Sequence, residues 1–383
     1  MQKHSQKSEQ IKSFIAMDVL EAAQALQKQG IDVISFGLGE PDFSPPACVQ
    51  EACIKAIRDN KSKYTHSQGL IELREAIAEN YRNKYGVLVN PDNIIVTPGT
   101  SPAFLLIFST LLEQGAEVIL PNPHYPCDAN FIEFFDGKVV YLPIHEEEDF
   151  QWNINEVKKR VSAKTKALFV TSPSNPTGTV LKKEVLQGLA SLDTPIVSDE
   201  IYHGLIYDGE EHCALEFSNQ AFVVNGFSKA YAMTGFRLGY VIIPDDFVRP
   251  MQKIQQNFII SASQFIQEAG IAALREAGPD LARMKEEFKK RRDVMMSGLK
   301  KLGFPLKYTP QGAFYIFVRS DHINKNSFEL AFDILNRAHV AVTPGIDFGS
   351  LGEGYLRFSY ATSIDKIEEG LSRLKKYLEN VSR

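Results

Sequence analysis

The sequence predicts an α/β fold: a large domain built on a mostly parallel seven-stranded sheet, joined to a smaller α+β domain. Three observations predict it. From about residue 46, short β-branched apolar runs alternate with amphipathic helical segments, as in chains of βαβ units. The runs are apolar on both faces, which suits strands covered by helices on both sides. Polar motifs rich in Gly, Pro and Ser directly follow several of the runs. In a parallel sheet those positions share one edge, where ligands bind.

Residues 1 to about 12 read as a loose arm. Helical spacing of Val19, Ala22, Ala23 and Leu26 predicts a helix over Asp18–Gln29, with Gly30 placed to end it. A strand over Val33–Phe36 leads into GLGEPDFSPP. The seven sheet strands are expected at Ile94–Thr97, Val118–Leu120, Val139–Leu142, Ala167–Thr171, Ile196–Ser198, Phe222–Asn225 and Leu238–Ile243. A long charged helix, Pro279 to Leu302, follows. Strands near Gly312–Val318 and Tyr355–Tyr360 then come with helices at Ser327–His339 and Ile364–Leu378. The domain division read from this order is 1–45 as N-terminal arm and part of the small domain, 46–280 as the large domain, and 281–383 as the small C-terminal domain. The acidic run Glu146–Asp149 and the basic run Lys289–Arg292 read as solvated faces.

The chain has 383 residues, 44% hydrophobic and 23% charged, with a net charge of −5. A mildly acidic balance argues against nucleic acid or an anionic membrane as main partner. The most apolar stretch, Phe104 to Leu112, is too short to span a bilayer. Cys48, Cys53, Cys127 and Cys213 lack metal-ligand spacing and read as reduced thiols, and no metal is expected. The polar N-terminus has no apolar core of a secretory signal. A cytoplasmic location is the expectation.

The motifs suggest chemistry. Gly99-Thr100-Ser101 opens an apolar helix, where free amides and the helix dipole suit an anion such as phosphate; Thr or Ser at such a place is also simply a cap. Lys229 follows a strand in the otherwise small, aromatic and apolar segment SKAYAMTGFRLGY. A desolvated lysine has a lowered pKa and forms Schiff bases; the alternative is a surface loop lysine. Arg237, eight residues on, suits bidentate pairing with phosphate. Asp199 ends a buried strand and needs a partner, for which a protonated pyridine nitrogen would serve; a helix cap or structural ion pair would serve as well. Asn175-Pro176 suits a cis peptide.

Over nearly the whole chain after about residue 14, the sequence resembles the class I/II aminotransferases, fold-type-I pyridoxal-phosphate enzymes, and within them the bacterial aspartate and broad-range branch. The resemblance rests on GLGEPDF, KYTHSQGLIELREAIA, SPSNPTG, SDEIY, SKAYAMTGFRLGY, GAFY and LRFSYA in that order. It implies pyridoxal 5′-phosphate bound covalently to Lys229, which also moves the proton at the substrate's α carbon. It implies that Asp199 faces the pyridine nitrogen, that Asn175 and Tyr202 bond the phenolic oxygen, and that Tyr125 lies over the ring. Gly99, Thr100, Ser101, Ser228 and Arg237 fall on the phosphate cup. Tyr64 matches a tyrosine donated by a second subunit, so a homodimer with shared sites is implied. Arg357 matches the clamp for the substrate α-carboxylate, with Gly39 and Asn175 beside it. The implied reaction is ping-pong amino transfer between an L-amino acid and a 2-oxo acid.

Three departures stand out. Gly226 replaces a phosphate-binding serine, Asp128 replaces a tyrosine of a YPxY motif, and Ser101 stands where aspartate-using relatives carry lysine. With Phe14, Ile15, Phe258 and Ile260 as apolar pocket candidates, Ser101 favours uncharged donors. Rival readings are a carbon–sulfur β-lyase or cyclopropane-carboxylate synthase on the same scaffold, and a ligand-sensing regulator. The stretch before Phe14 has no room for the helix-turn-helix domain such a regulator carries. No G-x-G-x-x-G follows a strand, which sets aside a nicotinamide dehydrogenase.

Overall fold

The computed structural model describes residues 4–381. Its strands, in chain order, are β1 (Ile34–Ser35), β2 (Ile94–Thr97), β3 (Glu117–Asn122), β4 (Lys138–Pro143), β5 (Thr165–Thr171), β6 (Ile196–Asp199), β7 (Phe222–Gly226), β8 (Gly239–Ile242), β9 (Tyr315–Arg319), β10 (Val340–Ala341), β11 (Thr343–Pro344) and β12 (Tyr355–Ser359). Seven of them form one sheet in the order β2-β8-β7-β6-β5-β3-β4. Only β8 runs antiparallel to its neighbours β2 and β7. The strands β2, β6, β7 and β8 are buried along their whole length, because helices cover both faces.

One apolar core lies around Ile119, Leu168, Val223 and Tyr240. A second packs Phe104, Phe108, Phe169 and Val241 on the opposite face. A third core, with Phe288, Phe314, Ile316 and Phe358, surrounds an antiparallel sheet ordered β11-β12-β9. The N-terminal segment joins that end of the molecule, since β1 pairs in parallel with β10, Ile34 opposite Val340.

Several local expectations change. The arm contains a short helix, Gln6–Gln10, capped by the Ser5 side chain. The next helix starts at Ile15, three residues earlier than its apolar spacing suggests. The Asp347 carboxylate accepts the N–H groups of Ile15 and Ala16 at 2.9 and 3.0 Å, so a distant residue supplies the cap. The charged runs are solvated only in part: Glu147, Glu148, Asp149 and Lys290 are exposed, but other members are not. Arg291 and Arg292, in the helix Gly278–Lys301, are buried and pair with Asp42 and Asp208, each at 2.6 Å. Glu146 is buried as well, accepting the Lys307 N–H at 3.2 Å. Burying these charges requires such partners, which local sequence cannot reveal.

Candidate active site

At the carboxyl edge of the large sheet lies a cavity of about 260 Å³, lined by residues from strand ends, the helix Ile15–Lys28 and β12. Thr100 and Ser101 reach it from the end of β2, Tyr125 from beyond β3, and Asn175 from beyond β5. Asp199 and Tyr202 reach it from the end of β6, and Ser228, Lys229 and Arg237 from the connection between β7 and β8. Gly39 and Arg357 close the opposite side.

The backbone explains much of this placement. Gly99 has φ +91, and a Cβ there would stand 2.5 Å from an Arg237 guanidinium nitrogen. Only glycine both opens the helix Thr100–Leu111 in that conformation and leaves room for the arginine. That helix begins with a free first turn at the cavity, a ready site for an anion. Arg237 itself sits at φ +57 and donates to the Thr234 carbonyl at 2.9 Å. Gly226 has a spatial reason too: its Cβ would lie 3.0 Å from the Leu238 carbonyl oxygen, where β7 and β8 approach closely.

Lys229 is half-buried, and its Nζ donates to the Gly39 carbonyl at 2.7 Å. Burial lowers its pKa to about 8, with Arg357 and Arg237 adding repulsion and Glu40 and Asp199 opposing it. Asp199 is buried at the floor and accepts the Ile201 N–H at 3.1 Å. Burial raises its carboxyl to about 7, although that hydrogen bond and Lys229 favour the charged form. The Asn175–Pro176 peptide is cis. Asn175 Oδ1 accepts from Arg357 at 2.9 Å, and the Tyr202 and Tyr315 hydroxyls are 2.9 Å apart.

Arg357 lies on β12, opposite Phe317 and Thr343. It is buried and donates also to the Gly37 carbonyl at 2.5 Å and Thr343 Oγ1 at 3.1 Å. Its guanidinium lies 4.4 Å from the Tyr315 ring centre and 4.9 Å from that of Phe348. Nε has no hydrogen-bond partner.

Tyr64 is not in the cavity of its own chain; it is 83% exposed. Of the four apolar pocket candidates only Phe14 lines the cavity, edge-on to Tyr125. Ile15 is drawn into the helix start capped by Asp347, and Phe258, ending the helix Asp245–Phe258, is 82% exposed. Ile260, at φ +73 just beyond, is exposed too. The walls that the sequence does not announce are Phe104, Phe131, Met17, Leu38 and Tyr315. Phe104 and Phe131 have helical spacing that reads as ordinary core. Leu38 and Tyr315 alone lie in motifs the sequence marks, GLGEPDF and GAFY.

A family model described as aminotransferase class I and II matches residues 31–374. The chain is similar to the (5-formylfuran-3-yl)methyl phosphate transaminase of Methanocaldococcus jannaschii, 40% identical over 370 residues, with 96% of this chain and 97% of the relative covered. It is similar to an aspartate aminotransferase of Pyrococcus abyssi, 40% identical over 358 residues, with 91% and 92% covered. Among solved structures, the aspartate aminotransferase from Thermus thermophilus with maleate matches with a TM-score of 0.94 at 35% identity, covering 98% of this chain and 100% of that one.

Proposed function

The chain belongs to the class I and II aminotransferases, a pyridoxal-phosphate-dependent family, and we propose that it moves amino groups from uncharged L-amino acids to 2-oxo acids with Lys229, Asp199 and Arg357 as its working groups. The observation that carries this reading is that one cavity gathers an amine of lowered pKa, a buried carboxylate and a rigidly held guanidinium from three different elements. A β-lyase would use the same three groups, so the product decides: transfer to 2-oxoglutarate or pyruvate supports the reading, and pyruvate plus ammonia from a cysteine conjugate, without transfer, overturns it.

The residues fit pyridoxal phosphate. The cleared space at Gly99 leaves Arg237 beside the free helix turn at Thr100 and Ser101, a combination suited to a phosphate. The Asp199 carboxylate, buried with only one hydrogen bond, suits a protonated ring nitrogen. When bound, pyridoxal phosphate supplies the carbonyl that takes up the amino group and a ring that delocalises the electron pair left at the substrate's α carbon. Lys229 is our proposed attachment point and, once free, the base that moves the α proton. Asn175 and Tyr202 orient the ring's oxygen, Ser228 joins the phosphate cup, and Tyr125 covers the ring face. Arg357, with Gly39 and Asn175 beside it, holds the substrate carboxylate and so aims the α carbon at Lys229. The division into residues 1–45, 46–280 and 281–383 then separates a cofactor-bearing unit from the two segments that supply Gly39 and Arg357.

Specificity is read from the walls. Phe14, Phe104 and Phe131, with Leu38 and Met17, are apolar, and Ser101 offers only a hydroxyl. The three cations of the cavity already have work, so a second substrate carboxylate would meet no free partner and its burial would be costly. We expect kcat/KM for aspartate to fall at least about tenfold below that for phenylalanine, leucine or methionine, about 1.4 kcal/mol. The aspartate names of several relatives define the opposite outcome. Aspartate as best donor by tenfold would refute the inference from Ser101.

We further propose a homodimer with shared sites. Tyr64 is exposed beside the exposed Phe258 and Ile260, the segments being tied by Thr65 N–H donating to Ser261 Oγ at 3.4 Å. Exposed large apolar side chains on two tied segments support an interface. Mixing Lys229→Ala with Tyr64→Ala subunits should restore one good site per heterodimer. A fully active monomer in sedimentation contradicts this. No helix among the described residues is long and apolar enough to cross a membrane. The four unpaired cysteines support a reducing, cytoplasmic compartment.

A further inference from the structure

We propose that Asp128 is a positioning residue for Asp199: an uncharged carboxylic acid, sealed behind the cavity wall, that adds no negative charge of its own to that of Asp199. Asp128 is the third residue of the helix Pro126–Phe134, which starts directly after the cavity-lining Tyr125. It is 1% exposed, and its Oδ1 is shielded from solvent without a hydrogen-bond partner among the described residues. Its own N–H is spent on the Tyr125 carbonyl at 3.0 Å.

The arm packs Lys7 and Lys12 against this helix, but Lys7 pairs with Asp136 and Lys12 is joined to Asn130 through its backbone, and among the described residues no cation pairs with Asp128. The titratable groups that interact with it are Asp199, Tyr125 and Cys127. The neighbouring helix Thr100–Leu111 carries no charged residue. On β4, also packed against this helix, Lys138 pairs with Glu117, and Tyr141 stacks on His124. An anion here would be a buried charge without a partner, which is costly enough that the group neutralises instead. Burial, first, and the Asp199 charge, second, both push the Asp128 carboxyl well above the usual range. Each carboxyl has one backbone hydrogen bond that favours its anion, from Tyr125 for Asp128 and from Ile201 for Asp199; Asp199 differs in also having Lys229. Of these two buried carboxyls, Asp128 therefore keeps the proton. If Asp128 ionised, Asp199 would be driven to take a proton and would lose its hold on a cationic ring nitrogen. That last consequence rests on the cofactor reading above; the protonation of Asp128 does not.

The test is Asp128→Asn, which has the same shape and no proton to lose. A carboxyl that binds its proton more tightly folded than unfolded stabilises the fold fully below the unfolded value of about 3.9, and that contribution is lost as pH rises toward the folded value. Asp199, Glu200 and Asp347, also raised, are present in both proteins and cancel in the comparison. Asp128→Asn should therefore melt above the parent by roughly 2–6 °C at pH 8, with the gap closing toward pH 4–5. It should bind pyridoxal phosphate within about threefold of the parent's affinity. Should the variant not fold, infrared spectra of the parent decide: a protonated-carboxyl band should persist at pH 8. A variant that melts at or below the parent at every pH, a gap independent of pH, a tenfold loss of cofactor affinity, or no such band each overturns the proposal. The melting and infrared results stand even if Lys229 proves not to carry the cofactor.

Discussion

Replacing Lys229 with alanine is expected to remove amino transfer to the limit of detection, a fall of at least about 10²–10⁴-fold for loss of a positioned proton-transfer group alone. The structure supplies the reason. Burial lowers the amine to about 8, so at pH 7.5 about one molecule in four has it neutral, against about one in a thousand for an ordinary lysine. Only the neutral amine attacks a carbonyl or accepts a proton. Cofactor uptake by cofactor-free protein should therefore quicken about tenfold per pH unit below 8 and level off above it. Borohydride reduction of the yellow parent should fix the cofactor on the peptide containing Lys229. A trapped peptide from elsewhere in the chain, or uptake indifferent to pH, would sink the assignment.

Lys229 and Asp199 could be read from the chain because their chemistry is costly, whereas Arg357 is marked only by the resemblance of LRFSYA to the family. A lysine in a small, apolar segment and an aspartate closing a buried strand each need a special partner, and both follow strands. The shared strand edge could also be read, since alternating elements imply parallel strands. What local sequence does not encode is who sits beside whom. Apolar runs do not show that β8 inserts antiparallel between β2 and β7. Nothing near Ile15 reveals that Asp347 caps that helix from more than 300 residues away. Arg291 and Arg292 look like a solvated run until Asp42 and Asp208 are seen against them. Phe104 and Phe131 illustrate a different difficulty: a cavity wall and a core are built from the same residues at the same spacing.

Arg357→Ala should lower kcat/KM for every amino acid by about 30-fold to several thousand-fold, the consequence of losing about 2–5 kcal/mol from a buried charge-assisted pair. The magnitude follows from how the side chain is held. Three hydrogen bonds, to Asn175, Gly37 and Thr343, and two aromatic faces fix the plane of the guanidinium before substrate arrives. Little entropy is then lost on binding. Its Nε is a buried donor without a partner among the described residues, and an unsatisfied buried donor costs about 1–3 kcal/mol, which an arriving carboxylate can recover. Lysine cannot reproduce the fork or the stacking, so Arg357→Lys should recover only a small part of the loss. No cofactor contact is assigned to Arg357, so the yellow colour should survive in both variants, as should the melting temperature to within a few degrees. Because the lost contact is to the α-carboxylate, phenylalanine, leucine and aspartate should suffer alike. A defect confined to one donor would make Arg357 a side-chain reader instead, and colourless protein would make it a cofactor ligand; either result contradicts the clamp.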